Sequence, residues 1–127
     1  MIVGYDAKRL FHNPTGLGYY SRTLVNSLQA EDPAFHAVLF DRRPIKNELT
    51  KHYFEDPRFQ IRSLPKPAWY HRSINLNRAI RDSPCQLYHG LSNELPLIPL
   101  NRNIPSVVTI HDVLYKSFPQ DFPLPDR

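Results

Sequence analysis

Three short stretches of the chain hold residue types and spacings that could do chemistry. In Thr15-Gly16-Leu17-Gly18-Tyr19, two glycines open what reads as a helix. Glycine lets backbone come close to a ligand, and the unpaired N–H groups of a helix start favour anions such as phosphates. His89-Gly90-Leu91-Ser92-Asn93 sets an imidazole, a glycine and an amide within five residues. His111-Asp112 directly follows the β-branched run Val107, Val108, Thr109, Ile110. An imidazole donates, accepts or holds a proton near neutral pH, so a histidine at a strand end suits acid–base or hydrogen-bonding work.

Each stretch also has a plainer reading. The two glycines lack the third of the dinucleotide fingerprint, and the loop before them is too long for that motif. A simple helix-entry turn fits their spacing equally. His111 or His89 could merely bond local backbone. Asp112 could orient His111 or cap the next turn. Other chemistries fit poorly. The six histidines show no paired ligand spacing and there is one cysteine, so zinc is not expected. No G-x-S-x-G elbow occurs, which argues against a serine hydrolase. Cys85 reads as a small side chain without special chemistry.

The elements that must position these residues follow from periodicity. Ile2 to Tyr5 reads as a first strand, followed by a polar loop to Asn13-Pro14. Leu17, Tyr20, Leu24 and Leu28 share one helix face, and Asp32-Pro33 stops that helix. Phe35 to Phe40 is an apolar second strand. Pro44 suits a first helical position, with Ile45, Leu49 and Tyr53 repeating four apart. Phe59 and Ile61 alternate with polar residues as a half-exposed third strand, and Leu64 to Pro67 is a proline-rich turn. Trp69, Ser73, Leu76 and Ile80 form a third helical stripe that leaves Ile74 aside, and Ser83-Pro84 ends it. Gln86 to His89 is a fourth strand. The proline-bearing stretch from Gly90 to Pro105 is a loop, and Ser106 to Ile110 is the fifth strand. Strands alternating with helices predict an α/β fold, a mostly parallel sheet with helices on both faces. The apolar second and fifth strands suit a sheet covered on both sides. In such a sheet ligands bind beyond the carboxyl ends of the strands, where all three stretches fall.

With 127 residues, 41% hydrophobic and 22% charged, the chain has the size and balance of one ordinary globular domain. No apolar stretch is long enough to span a bilayer. The N-terminus has no secretory pattern, and a lone cysteine fits a reducing compartment, so a cytoplasmic location is expected. The formal charge of +4 is spread over residues such as Lys8, Arg9, Arg42, Arg43, Arg58 and Arg81. These read as scattered, with no run or module of a nucleic-acid binder. Attraction to an anionic substrate or membrane surface is the sharper reading of that charge.

Three segments together resemble the retaining glycosyltransferases of GT-B architecture, particularly bacterial mannosyltransferase-like members. They are Gly4-Tyr5-Asp6-Ala7-Lys8-Arg9 with Thr15-Gly16-Leu17-Gly18-Tyr19-Tyr20; Leu87-Tyr88-His89-Gly90-Leu91-Ser92-Asn93-Glu94-Leu95-Pro96; and Val107-Val108-Thr109-Ile110-His111-Asp112-Val113. The resemblance covers nearly the whole chain. It implies that residues 1–127 are the acceptor-side, Rossmann-like N-terminal domain of such an enzyme, incomplete at its C-terminal end and without the donor domain. It implies transfer of a hexose from a nucleotide sugar to a saccharide or lipid-linked acceptor, with no cofactor, no metal and no nucleic acid involved. Peripheral contact with the inner membrane face would accompany a lipid-linked acceptor. Carried over by residue, Gly16 and Gly18 would sit against the donor diphosphate and His111 would contact the donor sugar. His89, Asn93 and Asp112 would line the same cleft. The fragment is expected to be inactive alone. The alternative is a stand-alone binding or interaction module with the same fold.

Overall fold

A computed structural model describes residues 1–65, 72–96, 104–117 and 120. The elements run β1 (Ile2–Asp6), α1 (Lys8–His12), α2 (Gly16–Glu31), β2 (His36–Asp41), α3 (Lys51–Glu55), β3 (Phe59–Ser63), α4 (Arg72–Arg81), β4 (Leu87–Gly90), β5 (Ser106–Val108) and α5 (Leu114–Ser117). The strands form one five-stranded sheet in the order β3-β2-β1-β4-β5. Every pairing is parallel. This is a Rossmann-like α/β fold, as the alternation of elements predicts.

The two faces of the sheet are read from alternate residues of its central strands, because successive side chains point to opposite sides. Val3, Tyr5, Ala37 and Leu39 face one way and pack with Leu10, Phe11, Val25 and Tyr53 from α1, α2 and α3. Val38, Phe40 and Tyr88 face the other way and pack with Leu76 and Ile80 of α4 and with Cys85. All four middle residues of β2 are buried on one face or the other, which explains its unbroken apolar run. Gly4 lies where the β1 backbone meets α4's side of the core. A Cβ there would stand 2.6 Å from Cys85 Sγ.

Several expectations need correction. The polar loop after β1 contains a helical turn, α1, with Leu10 and Phe11 buried. Five residues are too few to show a helical period, and packing rather than propensity holds such a turn. The helix expected from Pro44 begins only at Lys51. Tyr53 is buried, but Ile45 and Leu49 are 44% and 49% exposed. The Thr50 hydroxyl donates to the Ile45 carbonyl and accepts from the Asn47 N–H, while Asn47 Oδ1 accepts from the Leu49 N–H. These side-chain bonds give the backbone an alternative to the helical ladder. β5 is an edge strand rather than a covered one: Val107 is 47% exposed and no residue of the strand is fully buried. Its β-branched composition reports strand propensity, and propensity says nothing of position in the sheet. The α4 stripe holds for Leu76 and Ile80, with Ile74 exposed as expected. Trp69, Pro99 and most of the proline-rich tail lie outside the described residues.

Candidate functional site

The chain order reverses between β1 and β4, so the loops leaving those two strands diverge and open a crevice. Asp6, Lys8 and Arg9 after β1, with Leu91, Ser92 and Glu94 after β4, line it. The predicted histidines stand beside this point. His89, in β4, shares a 2.9 Å hydrogen bond with the Thr109 hydroxyl, which shares another of 3.0 Å with the Tyr20 hydroxyl of α2. The Tyr20 ring in turn meets the His111 ring edge to face, with centroids 4.9 Å apart. One continuous cluster therefore joins α2, β4 and the segment after β5.

His111 is held from two directions. Its Nε2–H donates to the Leu91 carbonyl at 2.8 Å, and its backbone N–H donates to Asn93 Oδ1 at 2.9 Å. A carbonyl only accepts, so Nε2 carries the proton in this contact. Asn93 also donates its own N–H to the Thr109 carbonyl. It does so at φ 54°, a left-handed conformation that asparagine tolerates better than most residues. Asn93 thus acts by positioning His111. Gly90 makes the turn possible, since a Cβ there would lie 2.0 Å from the Glu94 carbonyl oxygen. Asp112 Oδ1 accepts from the Leu114 N–H at the start of α5, the capping arrangement.

The two glycines of the helix entry differ. Gly16 is exposed, with nothing within 4 Å of a would-be Cβ. It lies about one helical turn before Tyr20, whose ring meets His111. Gly18 is buried, and a Cβ there would stand 1.7 Å from the Asn13 carbonyl oxygen. Arg22 Nη1 donates to that carbonyl at 2.9 Å and to the Leu10 carbonyl at 3.0 Å, tying α1 to α2. Gly18 therefore serves close packing, whereas Gly16 leaves the helix start open.

Sequence reasoning missed a second group at the same sheet edge. Asp6, Lys8, His12, Asp41, Arg42 and Arg43 line a cavity of about 260 Å³ beyond β1 to β3, with Leu64, Pro65 and Asn75 closing it. His12 Nε2 and Asp41 Oδ2 are 2.7 Å apart, and the Asp41 side chain is only 4% exposed. Three basic residues that look scattered in sequence, Lys8, Arg42 and Arg43, thus stand together. The available signal was positional: Lys8-Arg9 and Arg42-Arg43 each follow the end of a strand. Among the described residues, no group of three or more His, Cys, Asp or Glu could hold a metal ion. No described helix is long and apolar enough to cross a membrane.

Burial lowers the pKa of His89, and burial also lowers that of His52, outweighing the pull of Asp56 and Glu55. Folding therefore favours the neutral form of both rings. Where the unfolded chain binds more protons, stability rises with pH. Their contribution is complete above the unfolded histidine value, about 6.5, and is lost as pH falls below it towards the depressed folded values. Asp56, held down mainly by its Arg58 hydrogen bond, adds a second loss at lower pH, beneath the ordinary carboxylate range. The melting temperature is expected to fall between pH 7 and 5, and a His52→Asn, His89→Gln double variant should flatten that slope. An unchanged slope would show that neither ring is held neutral by the fold.

Compared with known proteins, the chain matches no family model, no curated sequence and no solved structure.

Proposed function

We propose that this chain is the acceptor-side part of a nucleotide-sugar-dependent retaining glycosyltransferase, moving a hexose such as mannose to a saccharide or lipid-linked acceptor. The observation that carries the reading is the meeting of His89, Asn93 and His111, through Thr109 and Tyr20, with the second turn of α2. These are the segments in which the sequence resembles such enzymes. In glycosyl transfer from a nucleotide sugar, a diphosphate departs and the sugar carbon becomes cationic. Catalysis then rests on fixed dipoles aimed at developing charge. The α2 start offers unpaired N–H groups to a diphosphate, with Gly16 leaving the approach clear. His111 offers a fixed ring whose Nδ1 has no hydrogen-bond partner among the described residues. A cytoplasmic enzyme working at the inner membrane face fits a lipid-linked acceptor.

The test has two arms. Titrated alone with guanosine, uridine and adenosine diphosphate hexoses, the chain should bind weakly, because the reading assigns the nucleotide to a second domain. Affinity tighter than about 1 µM, roughly 8 kcal/mol, would overturn that division. Fused to the donor-binding domain of such an enzyme, it should release nucleoside diphosphate and form a product of retained anomeric configuration. If no donor gives release, the chain is a binding module, the reading that the basic cavity beyond β2 would then favour.

A further inference from the structure

The cavity beyond β1, β2 and β3 plays no part in the cluster around His111. Its lining combines cations without partners and carboxylates already engaged. Among the described residues, the side chains of Lys8, Arg42 and Arg43 form no ion pair, and all three are exposed. Asp41 is occupied by His12 at 2.7 Å and by the Arg43 N–H at 3.2 Å. Asp6 accepts from the Lys8 N–H and has further interactions of its own. Three cations thus surround a space of about 260 Å³ whose anions are turned to internal use. Like charges gathered in a concave site repel one another, and an anionic ligand relieves that repulsion.

We infer that this cavity binds a phosphomonoester, with Lys8, Arg42 and Arg43 as counter-charges and His12, braced by buried Asp41, as a further hydrogen-bonding group. A phosphomonoester carries about 1.5 to 2 negative charges near neutral pH, against one for a carboxylate, and so matches three cations better. Guanidinium forks fit its oxygens two at a time. Leu64 and Pro65 supply an apolar wall for the body of the molecule. The inference rests on this geometry and not on the glycosyl-transfer reading. A phosphate group of this kind is carried by a small phosphorylated metabolite or by a lipid headgroup.

Calorimetric titration with a hexose 6-phosphate, and sedimentation with phosphatidylcholine vesicles with and without phosphatidic acid, distinguish the two sources. Binding to either probe is expected, with free hexose and pure phosphatidylcholine inert. Arg42→Gln and Arg43→Gln should each weaken it about tenfold, the effect of one charge-assisted hydrogen bond. Both side chains are exposed, so the melting temperature should hold. Arg81→Gln, a charge removed outside the cavity, should leave the affinity unchanged. Soluble sugar phosphate binding identifies a metabolite site, and binding to acidic vesicles alone identifies a headgroup site. Failure of both probes overturns the inference. So does equal weakening by all three variants, which would mark diffuse attraction to a basic surface. A chain that binds phosphate yet supports no sugar transfer when fused keeps this inference and discards the proposed reaction.

Discussion

His111→Ala, made in the chain joined to a donor-binding domain, is expected to lower kcat about a hundredfold or more while changing KM far less. Losing one group aligned with developing charge has effects of that size. The ring is fixed before any ligand arrives: Leu91 holds Nε2, Asn93 holds the backbone and Tyr20 packs edge to face against it. On the proposed reading, a group so fixed would stabilise the transition state without reorganising, and its loss would appear in kcat. A scaffold histidine makes a different forecast. Truncation would orphan the Leu91 carbonyl, lower the melting temperature through the lost hydrogen bond, about 1 kcal/mol, and leave turnover of the folded enzyme intact. Steady-state kinetics with melting measured alongside decides between them. A normal kcat with a lowered melting point would make His111 part of the scaffold.

Gly18→Ala is expected to be among the most destabilising single substitutions in the chain, and Gly16→Ala among the mildest. At Gly18 the added methyl would meet the Asn13 carbonyl oxygen at 1.7 Å and Arg22 Nη1 at 2.9 Å. Backbone cannot yield as a flexible side chain does, so α2 must move off the α1 turn and the two Arg22 hydrogen bonds are strained with it. The expected loss is about 3 kcal/mol, seen as a fall of roughly 10 °C in melting temperature. At Gly16 there is open space and no positive φ to satisfy. Alanine there should leave stability unchanged or raise it by up to about 1 kcal/mol, through helix propensity and a less flexible unfolded chain. If both variants melt alike, the close approach at Asn13 is not a constraint. If Gly16→Ala folds well yet weakens donor use, the helix start serves the ligand.

The alternation of elements, and so the α/β class, was legible because hydrophobic periodicity is local. Ile2–Asp6, Gly16–Glu31 and His36–Asp41 can each be read within a window of their own. The chemistry-bearing stretches were legible too, because in a parallel sheet whatever follows a strand reaches the carboxyl edge. Strand order, and with it the crevice between β1 and β4, depends on which runs pair over tens of residues, and no window holds that. The same limit hid the exposure of β5, the burial of Leu10 and Phe11, and the unlike duties of Gly16 and Gly18. Side-chain competition at Asn47 and Thr50 overrode a sound helical pattern because short-range hydrogen bonds leave no mark on periodicity. Thr109 and Tyr20 lie in the segments that carry the resemblance, yet the hydrogen bond between them, which links His89 to His111, spans 89 residues of chain. Lys8 and Arg9 lie more than thirty residues from Arg42 and Arg43. They look scattered along the chain, yet the pairing of β1 with β2 brings Lys8 to the same cavity as Arg42 and Arg43. Sequence determined where each strand ends to within about two residues, the fifth stopping at Val108 rather than Ile110, since that is largely a local property of backbone and side chain. Only the tertiary structure decided which of those ends meet, because parallel pairing joins segments whose separation along the chain carries no information about their separation in space.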